Sequence, residues 1–146
     1  MSGNLIREVR RSVLTHWKND ATLIALVPAG DIFPSTVPDA HGWPFLRWDA
    51  PNSIPMAEFL RGSAVSFMAH AFAKPRYTGA TMIETAEDHC SRITSALHAS
   101  LHRNRLSIGM TSFATMVTSS RVMQDGAEAD AYHGVVNCVA RCLLTV

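Results

Sequence analysis

The chain has 146 residues and a mass of 16.0 kDa, a length that fits one domain, residues 1–146, with a substantial core. Thirteen basic side chains against twelve acidic ones leave a net charge of +1, which disfavours general binding to DNA or RNA. Only 17% of the residues are charged while 47% are hydrophobic, so a monomer has few charges with which to cover its surface. This composition favours a protein that assembles.

Membrane, secretion and disulfide signals are absent from the sequence. No apolar run approaches the ~18 residues of a membrane-spanning helix, and the first residues lack the apolar core of a secretory signal. We therefore expect a soluble protein made in the cytoplasm. Cys90, Cys138 and Cys142 form no CxxC motif, and the last two would lie roughly 13 Å apart along one strand. Reduced, structural thiols are expected.

The N-terminal segment predicts a pair of helices. Apolar residues recur at three- and four-residue spacing over residues 5–17, with basic residues off that stripe. Asp20 can then cap a short second helix over residues 21–27, which Pro28 and Gly30 end.

The next segment contains six of the seven prolines, between Pro28 and Pro55, and so cannot hold a long helix. Its aromatic run at residues 43–48 predicts a strand, with Pro44 at an edge or among the first residues. Residues 49–61 are interpreted as a loop or a hairpin arm. The uncharged run at residues 64–73 predicts a strand covered on both faces.

A long helix is predicted over residues 81–103. The segment TMIE at residues 81–84 has the form of a capping box, in which the Thr81 and Glu84 side chains bind each other's free backbone amides. An apolar stripe at helical spacing continues from there: Ile83, Ala86, Cys90, Ile93, Leu97 and Leu101.

The remaining sequence predicts β structure. Residues 106–110, 113–118 and 121–123 are candidates for short strands, and residues 124–130 for a polar turn. Apolar residues then alternate with polar ones over residues 132–146, which predicts a closing strand. A helix would also align His133, Asn137 and Arg141, but Gly134 and the β-branched valines at 135, 136 and 139 favour the strand.

No established catalytic motif is present: the sequence has no Walker loop, dinucleotide-binding glycine motif, nucleophile elbow or HExxH. His98 and His102 lie four apart on the predicted helix and could both reach a metal, with His89 or Cys90 further along. Two ligands do not close a metal site, and both imidazoles are also placed to bind the last carbonyls of the helix. We predict no catalytic, cofactor-binding or metal-binding residue.

Two sets of residues could bind a polyanion or a base. One is the basic side of the first helix, for which a solvated face is the commoner role: Arg7, Arg10, Arg11 and Lys18. The other is an aromatic set that could stack on bases but lacks a basic groove, which favours core and sheet positions: Trp43, Phe45 and Trp48.

Several short segments follow one another in an informative order. They are DATLIALV at residues 20–27, DIF at 31–33, VP at 37–38 and WPFL at 43–46, with YHGVV at 132–136 near the end. Together with the order of strands and the long helix, they resemble the phage tail-completion or tail-terminator proteins, a family also found in prophages and gene transfer agents.

The resemblance implies an α+β fold, with a mostly antiparallel sheet, one long helix packed on it and a short N-terminal helical pair. It implies a structural protein of the head–tail junction of a virion or phage-like particle, made in the bacterial cytoplasm, without a cofactor. The expected assembly is a homo-oligomer, a hexameric ring that caps the head-proximal end of the tail tube and ends its polymerisation. One face would bind the tube protein, the other a head or neck connector protein, and DNA would pass through without sequence-specific binding.

The interface candidates lie on the basic first helix and on two segments expected to be exposed loops, residues 49–61 and 124–131. They are Arg7, Arg10, Arg11, Asp49, Asn52, Glu58, Arg61, Gln124, Asp125, Glu128 and Asp130. Two other functions stay open. One is a stopper or adaptor of the head–tail connector, and the other is a small metal-dependent enzyme that uses His98 and His102.

Overall fold

A computed structural model describes residues 5–55, 62–108 and 111–143. The helices are α1 Leu5–Asn19, α2 Ala21–Ile24 and α3 Ala86–Leu101. The strands are β1 Ile32–Phe33, β2 Phe45–Pro55, β3 Gly62–Ala73, β4 Arg76–Thr78, β5 Thr81–Glu84, β6 Asn104–Ile108, β7 Thr111–Gln124 and β8 Tyr132–Leu143. The predicted α+β class, with its N-terminal helical pair and long helix, is confirmed.

Six strands form one sheet in the order β1–β2–β3–β8–β7–β6, while β4 and β5 form a separate hairpin. In the large sheet β1 and β2 are parallel, and the other described neighbours are antiparallel. The alternation that predicted β8 also sets its orientation, because one set of alternate residues is buried: Gly134, Val136, Cys138, Ala140 and Cys142.

The helices cover one face of this sheet, and the core lies between the helices and the sheet. α1 buries Val9, Val13 and Trp17, and α3 packs its apolar stripe on β3, β7 and β8. Gly134 permits this close approach, since a Cβ there would overlap Thr94 Oγ1 on α3.

At the N-terminus, the Asp20 carboxylate caps α2 by accepting from the Thr22 and Leu23 amides at 3.1 and 3.3 Å, although α2 is shorter than predicted.

The predicted capping box at residues 81–84 is wrong. These residues form β5, which pairs with β4 across a turn where Gly79 has a φ of +61°, and Ile83 is 52% exposed. The helix begins at Ala86 and ends at Leu101. Its N-cap is Thr85, whose Oγ1 accepts from the Asp88 amide at 3.1 Å. Thr85 begins an equivalent motif four residues on, and Glu84 is engaged by arginines instead of a backbone amide.

The segment at residues 49–61 is a hairpin arm and not a loop in its described part. β2 continues to Pro55 and pairs with β3 as far as Ser63, so the loop interpretation of residues 49–55 is wrong. A bulge between Asp49 and Asn52 absorbs Pro51, which has no amide hydrogen for the ladder. Residues 56–61 lie outside the described part of the chain.

Two further strand predictions need correction. The candidates at residues 113–118 and 121–123 are one strand, β7, because a bulge between Val117 and Ser119 lets the pairing with β8 continue. β3 is covered by helices on one face only, so Met68 and Phe72 on its other face are half-buried. The second face of the sheet therefore presents its side chains without a helical layer over them.

Candidate interaction surfaces

The sheet face opposite the helices, here called the open face, carries a ladder of stacked rings. The strand register places Phe45, Phe72 and His133 side by side on β2, β3 and β8. Phe45 and Phe72 stack with centroids 4.6 Å apart, and Phe72 and His133 with centroids 4.3 Å apart. Such cross-strand pairs stabilise the sheet where no helix covers it.

The histidine of this ladder, His133, also pairs with a second histidine, His70. His70 Nδ1 and His133 Nε2 are 2.7 Å apart, a hydrogen bond in which one ring donates and the other accepts. Burial lowers the pKa of His70 to about 4, helped by His133 and Arg47 and opposed by Asp49, whose Oδ2 is 3.7 Å from His70 Nε2. Burial also lowers the pKa of His133. Both rings are therefore neutral near pH 7.

The aromatic residues considered as a stacking platform do not share a surface. Trp48 is fully buried beneath the helices, with its ring centroid 5.4 Å from that of Phe67. Phe45 lies on the open face instead, in contact with Trp43 at 4.9 Å. Lys74 Nζ stands 4.5 Å from the Trp43 ring centroid, a cation–π contact. The expected core and sheet positions are confirmed for Trp48 and Phe45, whereas Trp43 lies before β2 and is half-buried.

Of the predicted interface residues, the three on the first helix come together. Arg7, Arg10 and Arg11 line one groove of about 570 Å³ with Leu14 and residues 34–36, and Lys18 is exposed further along the helix. This surface is basic and accessible, as expected.

The candidates on the predicted loops are separated into two places. Asp49 lies on the open face, where its Oδ2 is 3.4 Å from Arg47 Nη2, and Asn52 is exposed on the hairpin arm. Glu58 and Arg61 lie outside the described residues. The other four lie at the opposite end of the strands. Gln124 is the last residue of β7, and the turn between β7 and β8 holds Asp125, Glu128 and Asp130.

That turn is fastened to the body of the protein. Lys74 Nζ is 3.8 Å from Glu128 Oε2 and 4.0 Å from Asp130 Oδ1. Asp125 Oδ1 accepts from the Ala127 amide at 3.1 Å, and the Gln124 amide donates to the Ala129 carbonyl at 3.5 Å. The turn is therefore an ordered acidic surface.

The two-histidine candidate at the C-terminal end of α3 is only a pair. The His98 and His102 ring centroids are 4.9 Å apart, and His102 Nδ1 accepts from the Val117 amide at 3.2 Å. His89, considered as a further ligand, binds the Lys74 carbonyl at 2.8 Å. The described residues contain no group of three or more His, Cys, Asp or Glu side chains placed to hold a metal ion.

The three cysteines are buried and free. Burial raises the pKa of Cys90 and Cys142 to about 11 and that of Cys138 to about 12. Their thiols are therefore protonated and unreactive, which fits the structural role predicted for them.

Two surfaces of the fold were not predicted from the sequence. One is the β4–β5 hairpin, whose second strand had been assigned to a helix. The other is a groove of about 410 Å³ at the far corner of the open face, and its lining includes Arg103, Arg105, Met116 and Arg141. These residues are distant in sequence, and only the register of β6, β7 and β8 brings them together.

The α+β fold carries several separate exposed surfaces. Residues 11–143 match the family described as tail completion protein gp17, and the chain belongs to that family. The predicted resemblance to tail-completion proteins is thereby confirmed, and with it a structural role in phage tails.

Solved structures share the fold at low sequence identity. A chain from the virion of a native gene transfer agent particle superposes with a TM-score of 0.76 at 12% identity, covering 98% of this chain and 100% of that one. Another solved chain has a TM-score of 0.56 at 16% identity and covers 99% of each chain. No curated protein matches the sequence. Within the described residues, no helix is long and apolar enough to cross a membrane.

Proposed function

We propose that this chain forms a ring that caps the head-proximal end of a phage-like tail tube. The ring ends polymerisation of the tube and joins the tail to the head or neck proteins. The observation that carries this proposal is the match to the tail completion family over residues 11–143. The similarity in fold to a chain of a gene transfer agent virion fits a component of such a particle.

The surfaces of the chain are consistent with this role. A terminating subunit needs one surface that meets the tube, another that meets the connector, and lateral surfaces that meet its own copies. The basic groove on α1, the open face and the acidic β7–β8 turn are separate, exposed surfaces of this kind. The ring we propose has six subunits and a lumen through which DNA passes without base contacts, and the chain has no catalytic activity of its own.

Deletion of the gene tests this function. We expect particles with tails of uncontrolled length and heads without attached tails, and normal particles when the gene is supplied in trans. Tail lengths and head attachment are scored by negative-stain electron microscopy. Tails of normal length that fail only to join heads would favour a stopper or adaptor of the connector instead.

A further inference from the structure

The β4–β5 hairpin exposes apolar side chains to solvent. Tyr77 and Met82 face each other across its two strands and are 56% and 49% exposed, and Ile83 is 52% exposed. An isolated two-stranded hairpin is marginally stable in water. Its base is held by Glu84, which binds Arg92 at 2.9 Å and Arg76 at 3.3 Å. The hairpin is thus fastened to α3 while about half of each of these apolar side chains faces solvent.

The groove at the other end of the sheet is basic and partly apolar. Here called the arginine groove, it is lined by Arg103, Arg105 and Arg141 together with Ala114 and the 42% exposed Met116. None of the three arginines has an ion-pair partner among the described residues. The groove thus fits a ligand that offers anionic groups, such as carboxylates, together with an apolar side chain.

Residues next to the hairpin have that chemistry. Glu87 and Asp88, exposed in the first turn of α3, follow β5 directly. The acidic β7–β8 turn lies at the same end of the sheet, because Tyr132 at the start of β8 pairs with Ala73 just before the hairpin. At this end Lys74 pairs with the turn and two arginines pair with Glu84, and no ion pair is formed by Glu87 or Asp88 among the described residues. One end of the molecule therefore combines apolar side chains with exposed carboxylates, and the other combines apolar side chains with unpaired arginines.

The hairpin cannot reach the arginine groove of its own chain. Arg141, in the groove, lies nine positions along β8 from Tyr132, which is beside the hairpin, a distance of roughly 30 Å along the strand. The occupant must come from another molecule. Contacts between two different surfaces of identical chains are head-to-tail and produce rings when the rotation closes.

We propose that the β4–β5 hairpin of one protomer docks in the arginine groove of the next copy of this chain. Tyr77 and Met82 pack on Met116, and Glu87 and Asp88 face the groove's arginines. This inference rests on the proposed ring and names its lateral contact. The apolar lining at Ala114 and Met116 favours a protein segment over the phosphates of DNA.

Cross-linking of two single-substitution variants tests the contact. Met82→Cys and Met116→Cys chains, distinguished by tag size, are mixed at high concentration and treated with a short bismaleimide. The three native thiols are buried and serve as an internal blank. We expect cross-linked heterodimers in the mixture and no cross-linked dimers when either variant is treated alone. Absence of heterodimers, or equal cross-linking within Met82→Cys alone, would overturn the proposal.

Charge reversal provides a second measurement. Arg141→Glu should weaken self-association about tenfold, and adding Glu87→Arg should restore part of it. Arg121→Glu is the matched control, an exposed arginine on β7 outside the groove. Circular dichroism verifies that each variant folds. Equal weakening by Arg121→Glu would overturn the specific contact.

Two further outcomes distinguish the protein contact from a phosphate site and from the capping function. If a short DNA duplex protects the cysteine at position 116 from labelling and a second copy does not, the groove is a phosphate site and the proposal fails. If heterodimers are absent but the gene deletion still gives overlong tails, the capping function stands and only this contact falls.

Discussion

At the scale of single residues, the His70–His133 pair shows how a sheet without a helical cover is stabilised. Two neutral imidazoles share one hydrogen bond of 2.7 Å, and His133 also stacks on Phe72, while His70 Nε2 is buried without a hydrogen-bond partner among the described residues. The sequence placed both histidines on predicted strands. It could not reveal their contact, because the register between β3 and β8 depends on residues 63 positions apart.

This pair should make stability depend on pH. The pKa of His70 is lowered to about 4 in the folded protein, so its stabilising effect is complete above the unfolded value of about 6.5 and is lost as the pH falls from there towards 4. The free energy of unfolding should drop by roughly 1–3 kcal/mol over that range. Urea denaturation at pH 7 and pH 5 measures the change.

The variant His70→Phe keeps an aromatic ring and removes the titration. Its stability should vary less between pH 7 and pH 5 than that of the wild type. The Arg92 side chain lowers the pKa of Glu84 from its ordinary value of about 4.5, so Glu84 loses its contribution to stability only below that pH. Its titration therefore falls outside the range between pH 5 and pH 7. If the stability of His70→Phe changed between pH 7 and pH 5 as much as that of the wild type, the assigned role of the pair would be contradicted.

Gly134 is a second residue whose role depends on packing. Gly134→Ala should destabilise the protein by about 1–3 kcal/mol, because the new Cβ overlaps Thr94 Oγ1 and lies 3.3 Å from Cys90 Sγ. Gly126→Ala is the control, since nothing lies within 4 Å of a Cβ there. Adding Thr94→Ala should recover part of the loss. Equal stability of the two single variants, measured by thermal melting, would refute the close approach of α3.

At the scale of elements, the start of α3 separates what local patterns can predict from what they cannot. The buried stripe from Ala86 to Leu101 followed from helical spacing and is confirmed. The start was misplaced because Thr81 and Thr85 both begin capping motifs, and the choice depends on the pairing of Glu84 with two arginines. Ion pairs between elements leave no periodic signal in a sequence.

The true helix cap can be tested by a matched pair of substitutions. Thr85→Ala should lower the free energy of unfolding by about 1 kcal/mol, since it removes the acceptor for the Asp88 amide. Thr81→Ala, an exposed change on β5, should stay within about 0.5 kcal/mol of the wild type. Chemical denaturation compares the two. A larger loss of stability for Thr81→Ala than for Thr85→Ala would contradict this assignment and favour Thr81 as the helix cap.

The interface candidates lie in separate places of the fold for a similar reason, and their role in contacts stays a prediction. Residues on α1 come together because helical spacing places Arg7, Arg10 and Arg11 on adjoining surface. Asp49 and the β7–β8 turn were chosen as exposed polar segments, and the fold puts them at different places. The arginine groove joins α3's end to β6, β7 and β8, a set that no single segment could indicate.

At the scale of the whole molecule, a net charge of +1 conceals an uneven distribution. Carboxylates gather beside the β4–β5 hairpin and in the β7–β8 turn, whereas three arginines without an ion-pair partner in the described part of the chain line the groove at the opposite end. The low fraction of charged residues suggested assembly from composition alone. The placement of those charges suggests head-to-tail contacts between copies, the kind that closes a ring.

The position of the chain in an assembled particle tests the capping role most directly. A tagged version, functional in the host that encodes it, is located by cryo-electron microscopy of purified particles. We expect one ring of this chain per particle, between the last ring of tube protein and the head or neck proteins. Density for the chain at the distal tip, along the whole tube, or missing from mature particles would contradict that role.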